Sequence, residues 1–215
     1  MPNQTNRYAV IGLLSALLAF NLVGKAVSEE LQLPQQLIHQ ISETLQQKLQ
    51  DKAFAQDFVK VTHFVNSVIE PHTDFDKIAP LVLGKHWNTA TPIEQERFKK
   101  EFQTLLVRAY SRAFVEYSDW TIQYLPLEVA NDATKVLVKT KVLQPSIQPV
   151  EVYYRMFVVN GEWKVYDILI DGVSLVTNYR SSFNDKIHKL GSLGSVIDDL
   201  AGRNADALQG KHRNY

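Results

Sequence analysis

The sequence predicts an α+β fold, with helices packed against one side of a curved antiparallel sheet. Apolar residues recur every three or four positions from residue 34 to about Tyr117. After Trp120 the pattern changes to alternation, and helical spacing returns at Val173. The chain has 215 residues, enough for one compact domain, and its apolar content of 45% is that of a globular protein.

Taken in order, residues 34–50 read as a helix, with Leu37, Ile41, Leu45 and Leu49 four apart opposite a Gln-rich face. Phe54, Phe58, Val61, Val65 and Val68 predict one continuous second helix, stopped by Pro71. A short helical segment around Phe75, Ile78 and Val82 ends near Gly84. The run TPIE places Thr91 at an N-cap, Pro92 at the first helical position and Glu94 three residues after the cap. The helix that starts there runs to about Tyr117 with Phe98, Phe102, Leu105, Leu106, Ala109 and Ala113 along one stripe.

Four candidate strands follow: WTIQYLPLEVA, TKVLVKTKVLQP, EVYYRMFVVN and EWKVYDILID. Asn160-Gly161 joins the last two through a two-residue turn suited to strand twist. A regular ladder from that turn sets Val158 opposite Trp163, Met156 opposite Val165, Tyr154 opposite Asp167 and Val152 opposite Leu169. One face then holds these eight residues, joined by Val136, Val138 and Val142 of the preceding strand. The stretch WKVYDILIDGVS (163–174) does not obey simple alternation, because Tyr166, Ile168 and Ile170 make the opposite face apolar too. A helix from Val173 to Leu190 with Gly191 as C-cap, and a short last helix at Val196, Ile197 and Leu200, complete the layout. From Arg203 onward the expectation is a frayed polar tail.

Net charge is zero, so no nucleic-acid partner is expected. The chain has no cysteine, which excludes a thiol nucleophile, a disulfide framework and a thiolate metal site. Tyr8 to Gly24 is uncharged, follows Arg7 and ends in Gly24-Lys25-Ala26. That is the pattern of a secretory signal cut after Ala26, an uncleaved anchor being the alternative. The chain starts with 23 basic and 23 acidic residues, so loss of Arg7 and Lys25 leaves a mature charge of about −2. Residues 1–26 are therefore assigned to a signal peptide, 27–202 to the folded domain and 203–215 to the tail.

Catalytic and metal-binding patterns are sparse. The histidines at 39, 63, 72, 86, 188 and 212 lack the paired spacing of a zinc helix, and no metal or cofactor is expected. GSLGS (191–195) is not a nucleophile elbow, and there is no phosphate-cradling glycine loop. Asp167, on an apolar strand face, is either a tuned acid or a buried carboxylate that holds backbone amides or caps the next helix. Lys99, Lys100, Arg108 and Arg112 lie on the long helix. Lys100, Arg108 and Arg112 share an edge that reads as a solvated face or as a docking stripe for an acidic partner or lipid headgroups.

Two runs resemble the MlaC family, the periplasmic phospholipid carriers of Gram-negative bacteria, also known as toluene-tolerance auxiliary proteins. They are LVLGKHWNTATPIEQERFKKEF (Leu81–Phe102) and GEWKVYDILIDGVSLVTNYRSSF (Gly161–Phe183). The second carries Trp163, Tyr166-Asp167, Gly172-Val173-Ser174, Asn178-Tyr179-Arg180 and Phe183. The resemblance covers roughly residues 30 to 200. It implies a cone-like, nuclear-transport-factor-type fold enclosing an apolar pocket for acyl tails, with the headgroup outside and no enzyme activity. It also implies a monomer that exchanges phospholipid between an outer-membrane lipoprotein complex and an inner-membrane ABC transporter carrying an MCE-domain protein, maintaining outer-membrane lipid asymmetry.

On that reading the tail pocket is expected at Val65, Ile78, Phe98, Phe102, Leu105, Ala109, Val136, Val138, Val152, Tyr154, Met156, Val165 and Leu169. Two alternatives stand beside it. One is a lipid-free adaptor with a solid core. The other is a small hydrolase or isomerase with Asp167 or Tyr154 as its acid.

Overall fold

The computed structural model describes residues 31–116, 120–145 and 147–209. The proposed signal segment (1–26) and residues 210–215 of the tail lie outside the described residues. The architecture is α+β: helices together with an open antiparallel sheet of five strands in the order β1-β2-β3-β4-β5.

Helix α1 (Leu33–Leu49) begins with a reciprocal cap in which the Gln32 N–H donates to Gln35 Oε1 at 2.9 Å. Ile38, Leu45 and Leu49 are buried along it. The expected single helix from Phe54 to Val68 is two, α2 (Lys52–Ala55) and α3 (Phe58–Ile69). Aspartates make the break. Asp51 accepts the N–H groups of Ala53 and Phe54, and Asp57 accepts that of Lys60 at 3.0 Å. A carboxylate that satisfies free amides starts a helix more readily than it continues one. A 3-10 turn (Glu70–His72) leads to α4 (Phe75–Leu83), capped by Asp74 and ended at Gly84, and to a short α5 (Lys85–Thr89) that the sequence does not announce.

Helix α6 (Pro92–Glu116) is about 37 Å long at 1.5 Å per residue. Its capping box forms as the sequence predicts: the Thr91 N–H donates to Glu94 Oε2 at 2.9 Å and the Glu94 N–H to Thr91 Oγ1 at 3.2 Å.

The strands are β1 (Thr121–Tyr124), β2 (Lys135–Gln144), β3 (Ile147–Val159), β4 (Glu162–Ile170) and β5 (Val173–Ser174). Of the long first candidate strand, which begins at Trp120, only Thr121–Tyr124 belong to the sheet. Asn160 (φ 52°) and Gly161 (φ 83°) make the two-residue β3–β4 turn. Asp171 (φ 47°) and Gly172 (φ 82°) make a second one, so Val173 and Ser174 belong to a strand and not to the following helix.

From the first turn, Val158 pairs with Trp163 and Met156 with Val165, as expected. The next pair is Arg155 with Asp167, which leaves Tyr166 as an extra residue, a β-bulge. Beyond it Tyr154 opposes Ile168, not Asp167, and Val152 opposes Ile170, not Leu169. The bulge exchanges the faces of β4. Trp163, Val165, Ile168 and Ile170 lie on one side with Met156, Tyr154 and Val152, whereas Asp167 and Leu169 turn to the other. This resolves the two apolar parities of the stretch 163–174.

Helix α7 (Leu175–Leu190) is capped by Ser174, whose Oγ accepts the Thr177 N–H, and ends at Gly191 in the left-handed conformation. Helix α8 spans Leu193–Leu208, well past the point where fraying is expected. Asn204 explains the continuation. Buried against α6, it donates to the Glu101 carbonyl (2.9 Å) and carboxylate (2.7 Å) and accepts from Arg108 Nε (2.8 Å).

Packing divides into three clusters. Phe75, Val82, Phe98, Phe102, Phe183 and Ile197 join α4, α6, α7 and α8. Leu45, Leu49, Val61, Val65 and Val107 join α1, α3 and α6. Ile38, Val138, Met156 and Val165 join α1 to the sheet.

Truncating Asn204 to alanine removes its bonds to Glu101 and Arg108, at a cost of about 1–3 kcal/mol. The expected outcome is a lower urea midpoint at an unchanged slope, measured by circular dichroism.

Candidate functional site: an elongated apolar cavity

The three clusters do not merge. Between them lies a cavity of about 330 Å³ bounded by α1, α3, α4, α6, α7 and the inner sheet face. On α6 the lining residues Phe102, Leu106, Tyr110 and Phe114 are spaced by four. Twelve helical residues set a length of about 18 Å. On β4 the lining runs from Val165 to Ile170, about 16 Å in an extended strand. One end reaches His72, Thr73 and Phe75, and the other reaches Gln144, Ile170 and Leu175. Ala113 lines the cavity and is solvent-exposed, so an opening lies beside the C-terminal part of α6.

Among the expected pocket positions, Val65, Ile78, Phe102, Val152, Tyr154 and Val165 line this cavity. Phe98, Val138 and Met156 do not. They are fully buried in the packed clusters, where Phe98 stacks on Phe102 at 5.5 Å and meets Phe183 edge-on at 5.0 Å. Val136 packs at the margin of the α1–sheet cluster and Leu105 at that of the α6–α7–α8 cluster. Ala109 is exposed, and Leu169 is turned to the other sheet face by the bulge. The physical reason is a small rotation. Phe98, Phe102 and Leu105 face α7 and α8, while the i+4 series from Phe102 faces the cavity. That spacing was available in the sequence, as were Ile41 and Leu45 on α1. Ile168 and Ile170 required knowledge of the bulge, and Trp120, a lining residue from the end of the α6–β1 connection, required the tertiary fold.

Several polar groups at the wall are bonded inside the protein. Thr73 Oγ1 donates to the Ile69 carbonyl at 3.0 Å, and Ser42 Oγ accepts the Trp120 indole N–H at 3.3 Å. Burial pushes the Tyr154 phenol up to about 12 and raises Tyr124 as well. Burial, and secondarily the Lys164 ammonium, hold His72 below the ordinary imidazole value, with Glu162 opposing.

Asp167 lies at the cavity wall although the bulge turns it from the face of Val165, and its carboxylate is committed. Oδ2 accepts from Arg155 Nη1 at 2.8 Å and from Ser174 Oγ at 2.7 Å, and Oδ1 accepts the Val176 N–H at 3.1 Å. Its side chain is 3% exposed and that of Arg155 43%. Three donors from β3, β5 and α7 fix it as a joint between sheet and helix.

The expected docking edge of α6 is partly used for packing. Arg108 holds Asn204 of α8, and the Arg112 guanidinium lies 5.3 Å from the Phe58 ring of α3. Lys100 is exposed, while the neighbouring Lys99 bonds Asp76 and Glu96. No cluster of metal-ligating side chains occurs among the described residues, and no described helix is long and apolar enough to cross a membrane.

Comparison with known proteins gives consistent matches. The family model described as MlaC protein matches residues 39–202. The toluene tolerance protein ttg2D of Pseudomonas putida is 30% identical over 147 residues, covering 67% of this chain and 68% of that protein. The intermembrane phospholipid transport system binding protein MlaC of Haemophilus influenzae is 25% identical over 180 residues, covering 81% and 83%. A phospholipid-binding protein from Ralstonia solanacearum, solved in complex with a phospholipid, superposes with a TM-score of 0.72 at 31% identity. The match covers 80% of this chain and 97% of that one.

Two outcomes test the site. Asp167→Ala, which leaves Ser174, the Val176 amide and Arg155 unpaired, lowers stability by about 2–3 kcal/mol after discounting the exposed arginine. Asp167→Asn costs less, because its amide oxygen can still accept from Val176; paired urea titrations report the difference. In an NMR titration His72 has a midpoint below 6.5, the unperturbed value, and Lys164→Gln moves it upward. Because the fold favours neutral His72, its contribution to stability is complete above pH 6.5 and is lost as pH falls through that lowered midpoint.

Proposed function

Since the chain belongs to the MlaC family, we propose that it is a phospholipid carrier whose cavity takes acyl tails out of water while the headgroup stays outside. The observation that carries this reading is the shape of the cavity: apolar, elongated and open at the surface. Its length of about 18 Å is close to one leaflet of hydrocarbon, about 15 Å. Its volume of about 330 Å³ lies at the lower edge of the usual range for ligand pockets. An unfilled apolar void destabilises by about 24 cal/mol per Å³, so this one corresponds to at most about 8 kcal/mol. Domain stability is about 5–15 kcal/mol in total. Methylenes that enter the cavity recover energy of that order, and each is worth about 0.8 kcal/mol removed from water.

The cavity distinguishes this reading from an adaptor with a solid core, and the occupied carboxylate of Asp167 weighs against a hydrolase that would use it as an acid. The same reading takes the chain from residue 27 to the end of α8 at Leu208 as the working domain after removal of 1–26, and the periplasm as its compartment. Its partners are an outer-membrane lipoprotein complex and an inner-membrane ABC transporter with an MCE-domain protein. The names of the relatives, one of them an intermembrane phospholipid transport system binding protein, support this placement.

Native mass spectrometry of the protein, isolated from a bacterial periplasm without detergent, tests the reading. The expected spectrum shows added mass equal to phospholipid, recovered by solvent extraction after denaturation. Leu106→Asp puts a charge on the wall and is expected to reduce bound lipid at least tenfold. Leu106→Trp fills the space sterically and is expected to do the same at a stability cost of about 1–3 kcal/mol. A bare protein that takes up no lipid from vesicles refutes the carrier.

A further inference from the structure

The outer face of the sheet takes no part in the cavity. On β2, Val138 and Thr140 point inward and are fully buried, so the alternate residues Lys135, Leu137, Lys139 and Lys141 point outward. Lys135 stands opposite Phe157 of β3, Leu137 opposite Arg155, and Lys139 opposite Tyr153, whose ring lies 5.8 Å from the ammonium. A cation beside a ring or a leucine is thus the repeating unit of this face. None of these residues belongs to the three packed clusters. Lys135 and Lys139 are exposed, while Leu137, Tyr153 and Phe157 are half-buried. At the margin the Lys77 ammonium of α4 sits 4.1 Å from the Phe157 ring and adds a further cation.

The acidic groups nearby are engaged elsewhere. Asp167 holds Arg155, Glu162 holds Lys164 at 2.8 Å, and Glu151, opposite Lys141, accepts the Tyr153 hydroxyl at 2.6 Å. Among the described residues, Lys135, Lys139 and Lys141 form no ion pair. They spread along about 20 Å of strand in a chain whose net charge is zero. A second copy of the chain does not fit such a face, because a two-fold contact sets lysine against lysine. Carboxylates fixed on a folded partner are better met by the rigid fork of arginine, and Arg155 is already taken. Lysines are point charges on flexible stems that lie along apolar surface while the charge stays in water. With tyrosine beside them, they match a layer of mobile anionic headgroups.

We propose that the outer face of β2 and β3 docks on a membrane surface rich in anionic phospholipid, with Lys135, Lys139 and Lys141 supplying the attraction. Val142 and Gln144 line the cavity from the other side of the same strand. Docking therefore brings the strand that walls one end of the cavity against the headgroups. The inference goes beyond the carrier reading, because the attraction does not depend on what fills the cavity.

Flotation of the protein isolated from periplasm tests this with two sets of vesicles, one of phosphatidylcholine alone and one of equal parts phosphatidylcholine and phosphatidylglycerol. Each lysine near an anionic surface is worth roughly fivefold in partition, so the anionic vesicles are expected to win by about a hundredfold at low salt. The preference is expected to vanish at about 1 M salt, where the Debye length is ~3 Å. Lys135→Gln, Lys139→Gln and Lys141→Gln together remove it, whereas replacing the exposed Lys52, Lys85 and Lys100 by glutamine together retains it. Equal binding of the wild type to both vesicles, or to neither, overturns the proposal without any variant and leaves the face to an acidic protein. An equal loss in the two triple variants overturns it too, since the attraction then comes from overall charge. A protein that carries phospholipid yet shows no preference for anionic vesicles keeps the carrier reading and overturns this proposal alone.

Discussion

Tyr166 has no partner across the β3–β4 ladder, and that single insertion orders what surrounds it. Without it, Ile168 and Ile170 would point away from the cavity, and Asp167 would share the strand face of Val165. With it, the apolar residues of β4 form one continuous wall, and Asp167 reaches Arg155, Ser174 and the Val176 amide. Those contacts fix the start of α7 against the sheet. The course of α7 then delivers Tyr179 and Phe183 to the ring cluster around Phe98 and Phe102. A local irregularity in hydrogen bonding therefore determines both the wall and the helix that closes it.

Helix α6 serves as the spine shared by two of the three clusters. Its early turns pack against α4, α7 and α8, while Val107, Phe114 and Val115 contribute to the cluster with α1 and α3. Because each cluster is filled on its own, tight packing is satisfied around the cavity without filling it. A separately satisfied periphery is a physical route to a stable protein with a greasy interior left for another molecule.

Much of this was legible in the residues. The capping box at Thr91, the Asn160-Gly161 turn and the change of period after Trp120 gave the layers and their order, and two sequence runs carried the family resemblance. What stayed hidden was non-local. A bulge exists only relative to a partner strand, so the pairs beyond Met156–Val165 could not be read from alternation. An apolar stripe looks the same whether it meets side chains or empty space, which is why Phe98, Val138 and Met156 were indistinguishable from true lining residues. Ala109 was misplaced because a 25-residue helix presents different faces to different neighbours along its length. Asn204 looked like the start of a polar tail, since nothing local announces that Glu101 and Arg108 await it.

The wall of the cavity makes almost wholly non-directional contacts. Such contacts have no register: an alkyl chain displaced lengthwise by one carbon meets nearly the same surroundings as before. Motion along the axis then proceeds as a succession of small exchanges, each trading one methylene's worth of contact for another, about 0.8 kcal/mol at a time. No single step has to break the whole of the attachment. A chamber of this kind holds firmly in bulk water, yet it offers low friction wherever a second greasy surface meets its opening. Retention and release thus follow from the same smoothness.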